Sequence, residues 1–116
     1  MSLEETCKTV LAEMKQLILE GKKHFVRRNR QGKNYLQQFL DMNLTSIDAA
    51  WECIVNDLNH THYHSGPMHD HQDGPGSPLV VWVFKMEING VIAYIKLKIE
   101  TNGRGCVCLS FHEDEP

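Results

Sequence analysis

Apolar residues recur every three or four positions at the start of the chain: Leu3, Cys7, Val10, Leu11, Met14, Leu17 and Ile18. That spacing predicts a helix from about residue 3 to Glu20, ended by Gly21 in a left-handed cap. His24 to Arg27 reads as a short edge strand. Tyr35, Leu36, Phe39 and Leu40 mark a second, shorter helix. A third carries Ile47, Ala50, Trp51, Ile54, Val55 and Leu58 as its apolar stripe, with Thr45 as N-cap and Asp48 at the third position beside the helix dipole.

After residue 78 the period changes from about 3.6 to 2. Asn89-Gly90 sits between two β-rich runs, Leu79 to Glu87 and Val91 to Glu100. A type I′ turn needs positive φ at both central residues, which makes Asn-Gly a strong hairpin signal. The turn pairs Ile88 with Val91, and so Phe84 with Ile95, Trp82 with Leu97, Lys85 with Tyr94 and Val83 with Lys96. The next strand runs from Cys106 to His112. Placing Val107, Leu109 and Phe111 on the face of Ile95, Leu97 and Ile99 requires a three-residue loop with Gly103 at positive φ, because a one-residue slip reverses every side chain. That loop pairs Ile95 with Phe111, Lys96 with Ser110 and Tyr94 with His112. Lys85, Tyr94 and His112 then form one row across three strands, with Cβ atoms about 5 Å apart.

Helices first and strands afterwards predict a single α+β domain over residues 1–116, its N-terminal helices packed on one face of a C-terminal antiparallel β-meander. The long connection from Asn59 to Pro78 is rich in His, Gly and Pro and reads as a loop. No apolar run reaches the roughly 18 residues of a membrane span, and no signal peptide is recognisable, so a cytoplasmic protein without membrane association is expected. Cys7, Cys53, Cys106 and Cys108 form no C-x-x-C motif and read as reduced thiols.

The net charge of −3 is unevenly spread. Residues 1–42 hold eight Lys/Arg against five Asp/Glu, and the rest of the chain holds four against ten. The positive charge concentrates between Lys22 and Lys33, where Arg27 and Arg28 are candidates for binding an anionic polymer or an acidic partner.

His112, Tyr94 and Lys96 are the candidate catalytic residues. Metal-independent RNA cleavage needs a base for the 2′-OH proton, an acid for the leaving 5′-oxygen and cations for the crowded phosphate. Histidine titrates near neutrality, lysine supplies fixed charge, and tyrosine offers a hydroxyl and a π-face. Lys85 and Lys98, on the same strand face, are candidate substrate-binding residues. His64 is a further acid–base candidate, reaching in from the loop. No metal or other cofactor is expected for this chemistry. The alternative reading is a non-catalytic module that binds protein or metal through the histidines between residues 60 and 71, of which His60, His62, His64, His69 and His71 are the members.

The run Tyr94-Ile-Lys-Leu-Lys-Ile99, a short turn, and Cys108-Leu-Ser-Phe-His112 resembles the end of MqsR-type toxins of the RelE superfamily. Phe25-Val-Arg-Arg28, Asn43-Leu-Thr45 and Tyr63-His-Ser-Gly-Pro67 extend the likeness over most of the chain. The resemblance implies a RelE-like fold and a bacterial type II toxin–antitoxin system, with an mRNA substrate and a cognate antitoxin protein as partners. Tyr94 matches the family's strand tyrosine. His112 stands where the family often has a basic residue after Ser-Phe, and His64 where it often has lysine after an aromatic.

Overall fold

The computed structural model describes residues 2–69, 79–100 and 103–115. Helix α1 (Leu3–Leu19) starts at Ser2, whose side chain accepts a hydrogen bond from the Glu5 amide. It ends where Gly21, at φ 79°, lets its amide bond the Ile18 carbonyl and turns the chain into β1 (Lys23–Phe25). Helix α2 (Tyr35–Leu40) is held by a reciprocal cap. The Asn34 side chain accepts from the Gln37 amide at 2.9 Å, and the Asn34 amide donates to the Gln37 side chain at 2.8 Å. Helix α3 (Ile47–Asn56) is capped by Ser46, which accepts from the Ala49 amide at 3.0 Å. The expected cap, Thr45, is therefore displaced by one residue, a common ambiguity where two hydroxyl residues adjoin.

Among the described residues four further strands follow: β2 (Tyr63–His69), β3 (Val80–Ile88), β4 (Val91–Glu100) and β5 (Gly105–Glu113). The sheet order is β1-β5-β4-β3-β2. Neighbours from β2 to β5 are antiparallel, but β1 runs parallel to β5, so the sheet is mixed and not a purely antiparallel meander. The expected loop after Asn59 is structured as far as His69, and residues 70–78 lie outside the described residues. His60–His62 make a single 3₁₀ turn, and β2 follows as an edge strand on β3. Its register is irregular at both Tyr63/Ser65 and Ser65/Met68, which hid its period from a sequence pattern.

The helices cover one face of the sheet. Cys7, Leu11, Met14 and Ile18 of α1, Phe39 of α2 and Trp51 and Ile54 of α3 pack with Trp82, Phe84, Ile95, Leu97 and Phe111. Phe39 is fully buried, edge-on to both Phe25 and Phe111, and its truncation to alanine would cost about 3–5 kcal/mol.

Asn89 (φ 53°) and Gly90 (φ 83°) form the expected turn, and β3 and β4 pair in the expected register. The β4–β5 register agrees for Ile95–Phe111, Lys96–Ser110 and Tyr94–His112. Beyond Lys96 it shifts by one residue, so Leu97 faces Cys108 and Ile99 faces Cys106. Cys106 and Cys108 consequently enter the helix-covered core, while Val107 and Leu109 pack with Val81 in a second cluster. The extra residue is absorbed as a bulge in β5, and the positive φ falls on Gly105 (76°) in place of Gly103.

Candidate functional site

Strand β1 pairs with β5 only as far as the bond from the Val26 amide to the Cys108 carbonyl. Beyond it, residues 27–30 leave the sheet, and among the described residues no strand lies beside the β5 edge from Leu109 to His112. A cleft of about 190 Å³ lies there, bordered by Arg28, Arg30, Tyr35, Gln38, Ser110 and His112. A second hollow, at Lys33 and Glu115, shares Arg30, Gln38 and His112 with it.

The basic segment is built to hold this edge open. Arg30 and Lys33 exchange backbone hydrogen bonds across a turn at Gln31 (φ 52°) and Gly32 (φ 78°). Gln38, buried at 7% exposure, donates from Nε2 to the carbonyls of both Arg28 and Lys33 at 2.9 Å. One amide thus pins both ends of the segment to α2.

His112 and Tyr94 are direct cross-strand partners with stacked rings, 5.1 Å between centroids and 11° from parallel. His112 is only 7% exposed, although it stands near the end of its strand. Its Nδ1 lies 2.8 Å from the Glu113 carbonyl. A carbonyl only accepts, so Nδ1 carries the proton and Nε2 keeps its lone pair in the neutral ring. Burial, opposed by the Glu113 carbonyl and assisted by the charge of Arg30, holds the His112 pKa below its usual 6.5. The ring is therefore neutral at pH 7.

Among the described residues, the Tyr94 hydroxyl and the Ser110 hydroxyl have no hydrogen-bond partner, and no carboxylate pairs with Lys96 or Arg30. Lys96 faces Ser110 across β4 and β5, next to the Tyr94–His112 pair. His112, Ser110 and Arg30 thus line the cleft, whereas Tyr94 and Lys96 stand one strand away on β4, as the cross-strand partners of His112 and Ser110, and do not line it.

Other expected members are drawn elsewhere. Lys98 is 2% exposed, with Nζ 3.3 Å from Glu100, so it is removed from any substrate. Glu100 also holds Arg104 at 2.7 Å, and that guanidinium, with Lys98, keeps the Glu100 carboxyl down at about 2. Lys85 keeps its place in the row but is paired with Asp114 at 3.1 Å, which offsets the charge it was expected to lend a phosphate. Arg27 lies over the Tyr35 ring at 5.4 Å, and Arg28 lines the cleft.

His64 is exposed on β2, not on a loop, and three strand spacings, about 14 Å, separate β2 from β5. It does not join His112. The neighbouring histidines diverge: His60 Nε2 lies 3.3 Å from Glu4, and His62 Nδ1 accepts from the Asn59 amide at 3.1 Å. Among the described residues no three His, Cys, Asp or Glu side chains are grouped to hold a metal ion, and His71 lies outside those residues. No described helix is long and apolar enough to cross a membrane.

Arg30, Ser110 and Gln38 were not among the expected site residues. Arg30 lay within the basic cluster and Ser110 within the paired register, so both had a signal. Gln38 stands three residues after Tyr35, on the inward side of a helix whose other inward positions are apolar, and a polar residue there was the available clue. Comparison with protein-family models, with curated proteins and with solved structures yields no match.

Proposed function

We propose that this chain is a toxin-type endoribonuclease of RelE-like fold, silenced by a cognate antitoxin protein, and that it cleaves single-stranded RNA at the β5 edge. The observation that carries the reading is His112, a neutral imidazole whose Nδ1–H is held by a backbone carbonyl, stacked on Tyr94, with Arg30 in the same cleft and Lys96 in the adjacent cross-strand pair. In this mechanism His112 Nε2 takes the proton of the ribose 2′-OH. The 2′-oxygen attacks phosphorus and the P–O5′ bond breaks, leaving a 2′,3′-cyclic phosphate. The Tyr94 hydroxyl donates a proton to the departing 5′-oxygen, and the proton held by His112 then returns to Tyr94 through solvent. Lys96 and Arg30 stabilise the charge that builds on the phosphate.

The base, the acid and the cations are all side chains, so the reaction as drawn needs no divalent ion. Induced expression of the chain tests the biological half of the proposal. Growth arrest, relieved when the neighbouring gene is co-expressed, supports a toxin. Unimpaired growth together with intact cellular RNA counts against it.

A further inference from the structure

Gln38 has a second property beyond pinning the basic segment. Both protons of its Nε2 are committed to the carbonyls of Arg28 and Lys33, which fixes the amide's orientation, since only the nitrogen can donate. Its Oε1 accepts no hydrogen bond among the described residues, yet no buried side-chain oxygen there lacks a partner. The Oε1 of this nearly buried side chain therefore keeps some solvent contact, and Gln38 lines both hollows at the β5 edge. It is an acceptor held rigidly in place, with nothing of its own to accept.

The walls describe what would bind. The cleft measures about 190 Å³, below the roughly 300–1,000 Å³ of a drug-sized ligand site, which suits one planar ring system. Phe25, Val26 and Tyr35 give it an apolar side. Arg30, unpaired among the described residues, stands at the border together with His112. Glu113 and Glu115 line the adjoining hollow and repel an anion there, so a phosphate is directed to the Ser110 side.

We infer that the cleft is a nucleobase subsite, in which Gln38 Oε1 accepts from the exocyclic amino group of an adenine, cytosine or guanine while Arg30 holds the adjacent phosphate. Uracil has only an N3–H, recessed between two carbonyl oxygens that face Oε1 with like partial charge, so it is disfavoured. The inference rests on the ribonuclease reading for its biological sense and names the base preference of that same site. One neutral hydrogen bond gained against an unpaired acceptor corresponds to about threefold to tenfold in affinity.

The test is a titration of the full-length ¹⁵N-labelled chain with AMP, CMP and UMP, followed by NMR. The expected result is movement of the Gln38 side-chain amide and of Arg30 and Ser110, with AMP and CMP binding about threefold to tenfold more tightly than UMP. Arg30→Gln should weaken all three nucleotides alike and keep their order, whereas Gln38→Leu should erase the order. Should Gln38→Leu fail to fold, the nucleotide series and Arg30→Gln still decide the matter. Equal binding of UMP, or shifts confined to another surface, would overturn the subsite. So would a response to poly-glutamate alone, which would mark a protein contact. Nucleotide binding in the expected order without any RNA cleavage would uphold the subsite and sink the ribonuclease reading. Cleavage without base preference at this cleft would do the reverse.

Discussion

The imidazole of His112 lies flat against the phenol ring of Tyr94, the two residues meeting directly across β4 and β5. The stack, the Glu113 carbonyl and burial together hold one ring orientation and one tautomer. A charged ring is disfavoured there, because burial lowers the His112 pKa from 6.5. The unfolded chain therefore binds this proton more readily than the folded one. The histidine's contribution to stability is complete above about pH 6.5 and is lost as pH falls through the window below it. Urea melts between pH 4.5 and 7.5 should show the wild type losing more stability on the acid side than His112→Phe, which keeps an aromatic ring on Tyr94 but does not titrate. Parallel pH profiles for the two proteins would show that the ring is not held neutral by the fold.

Glu100 governs a separate, more acidic window. Its carboxyl lies at about 2 because Arg104 and Lys98 favour the ionised form. A depressed carboxylate stabilises the fold fully above the ordinary 4.5 and loses that contribution as pH falls towards about 2. Solvent screening discounts the shift, which leaves on the order of 1 kcal/mol. Glu100→Gln should flatten the stability curve between pH 4.5 and 2 and leave the His112 window unchanged, a separation that acid titration monitored by circular dichroism would resolve.

Gly105 decides how β1 meets β5, and so where the cleft begins. It has φ 76°, and a Cβ built on it would stand 2.3 Å from the Lys22 carbonyl oxygen, the acceptor of the Cys106 amide. Gly105→Ala combines an unfavourable left-handed backbone with a backbone clash, and should cost about 2–4 kcal/mol in chemical denaturation. A change below about 0.5 kcal/mol would mean that the β1–β5 junction is looser than this geometry requires.

Thiol labelling checks the strand register. Cys106 and Cys108 are buried, and burial raises Cys106 to about 12 and Cys108 well above the ordinary thiol value. Cys53, only partly buried, should react first with a thiol reagent under native conditions, and Cys106 and Cys108 only on the timescale of unfolding. Fast native labelling of Cys106 would instead support the alternative register that turns Val107 and Leu109 into the core.

Much of this arrangement was legible in the sequence because a turn constrains parity. Asn89-Gly90 determined the β3–β4 pairing, whereas the Tyr94–His112 pairing was reached through an alternation of Val107, Leu109 and Phe111 of which only Phe111 keeps its expected face. The bulge beyond Lys96 escaped because Cys106, Val107, Cys108 and Leu109 are all apolar enough to face either side, so their pattern cannot report which face is covered. β2 escaped because its register slips twice. The burial of Lys98 escaped because strand parity fixes a face and not how deeply that face is covered. Gln38 depends on carbonyls contributed by Arg28 and Lys33, contacts that no local period announces.

The central claim is that His112 supplies the base for RNA cleavage, and single-turnover cleavage of a fluorescent single-stranded RNA tests it most directly. The wild type should cleave with EDTA present and yield a 2′,3′-cyclic phosphate. His112→Phe, which keeps the stack and should melt within a few degrees of the wild type, should be slower by roughly 10²–10⁴. Cleavage by His112→Phe at the wild-type rate, or wild-type cleavage that depends on an added metal ion, would contradict the assignment.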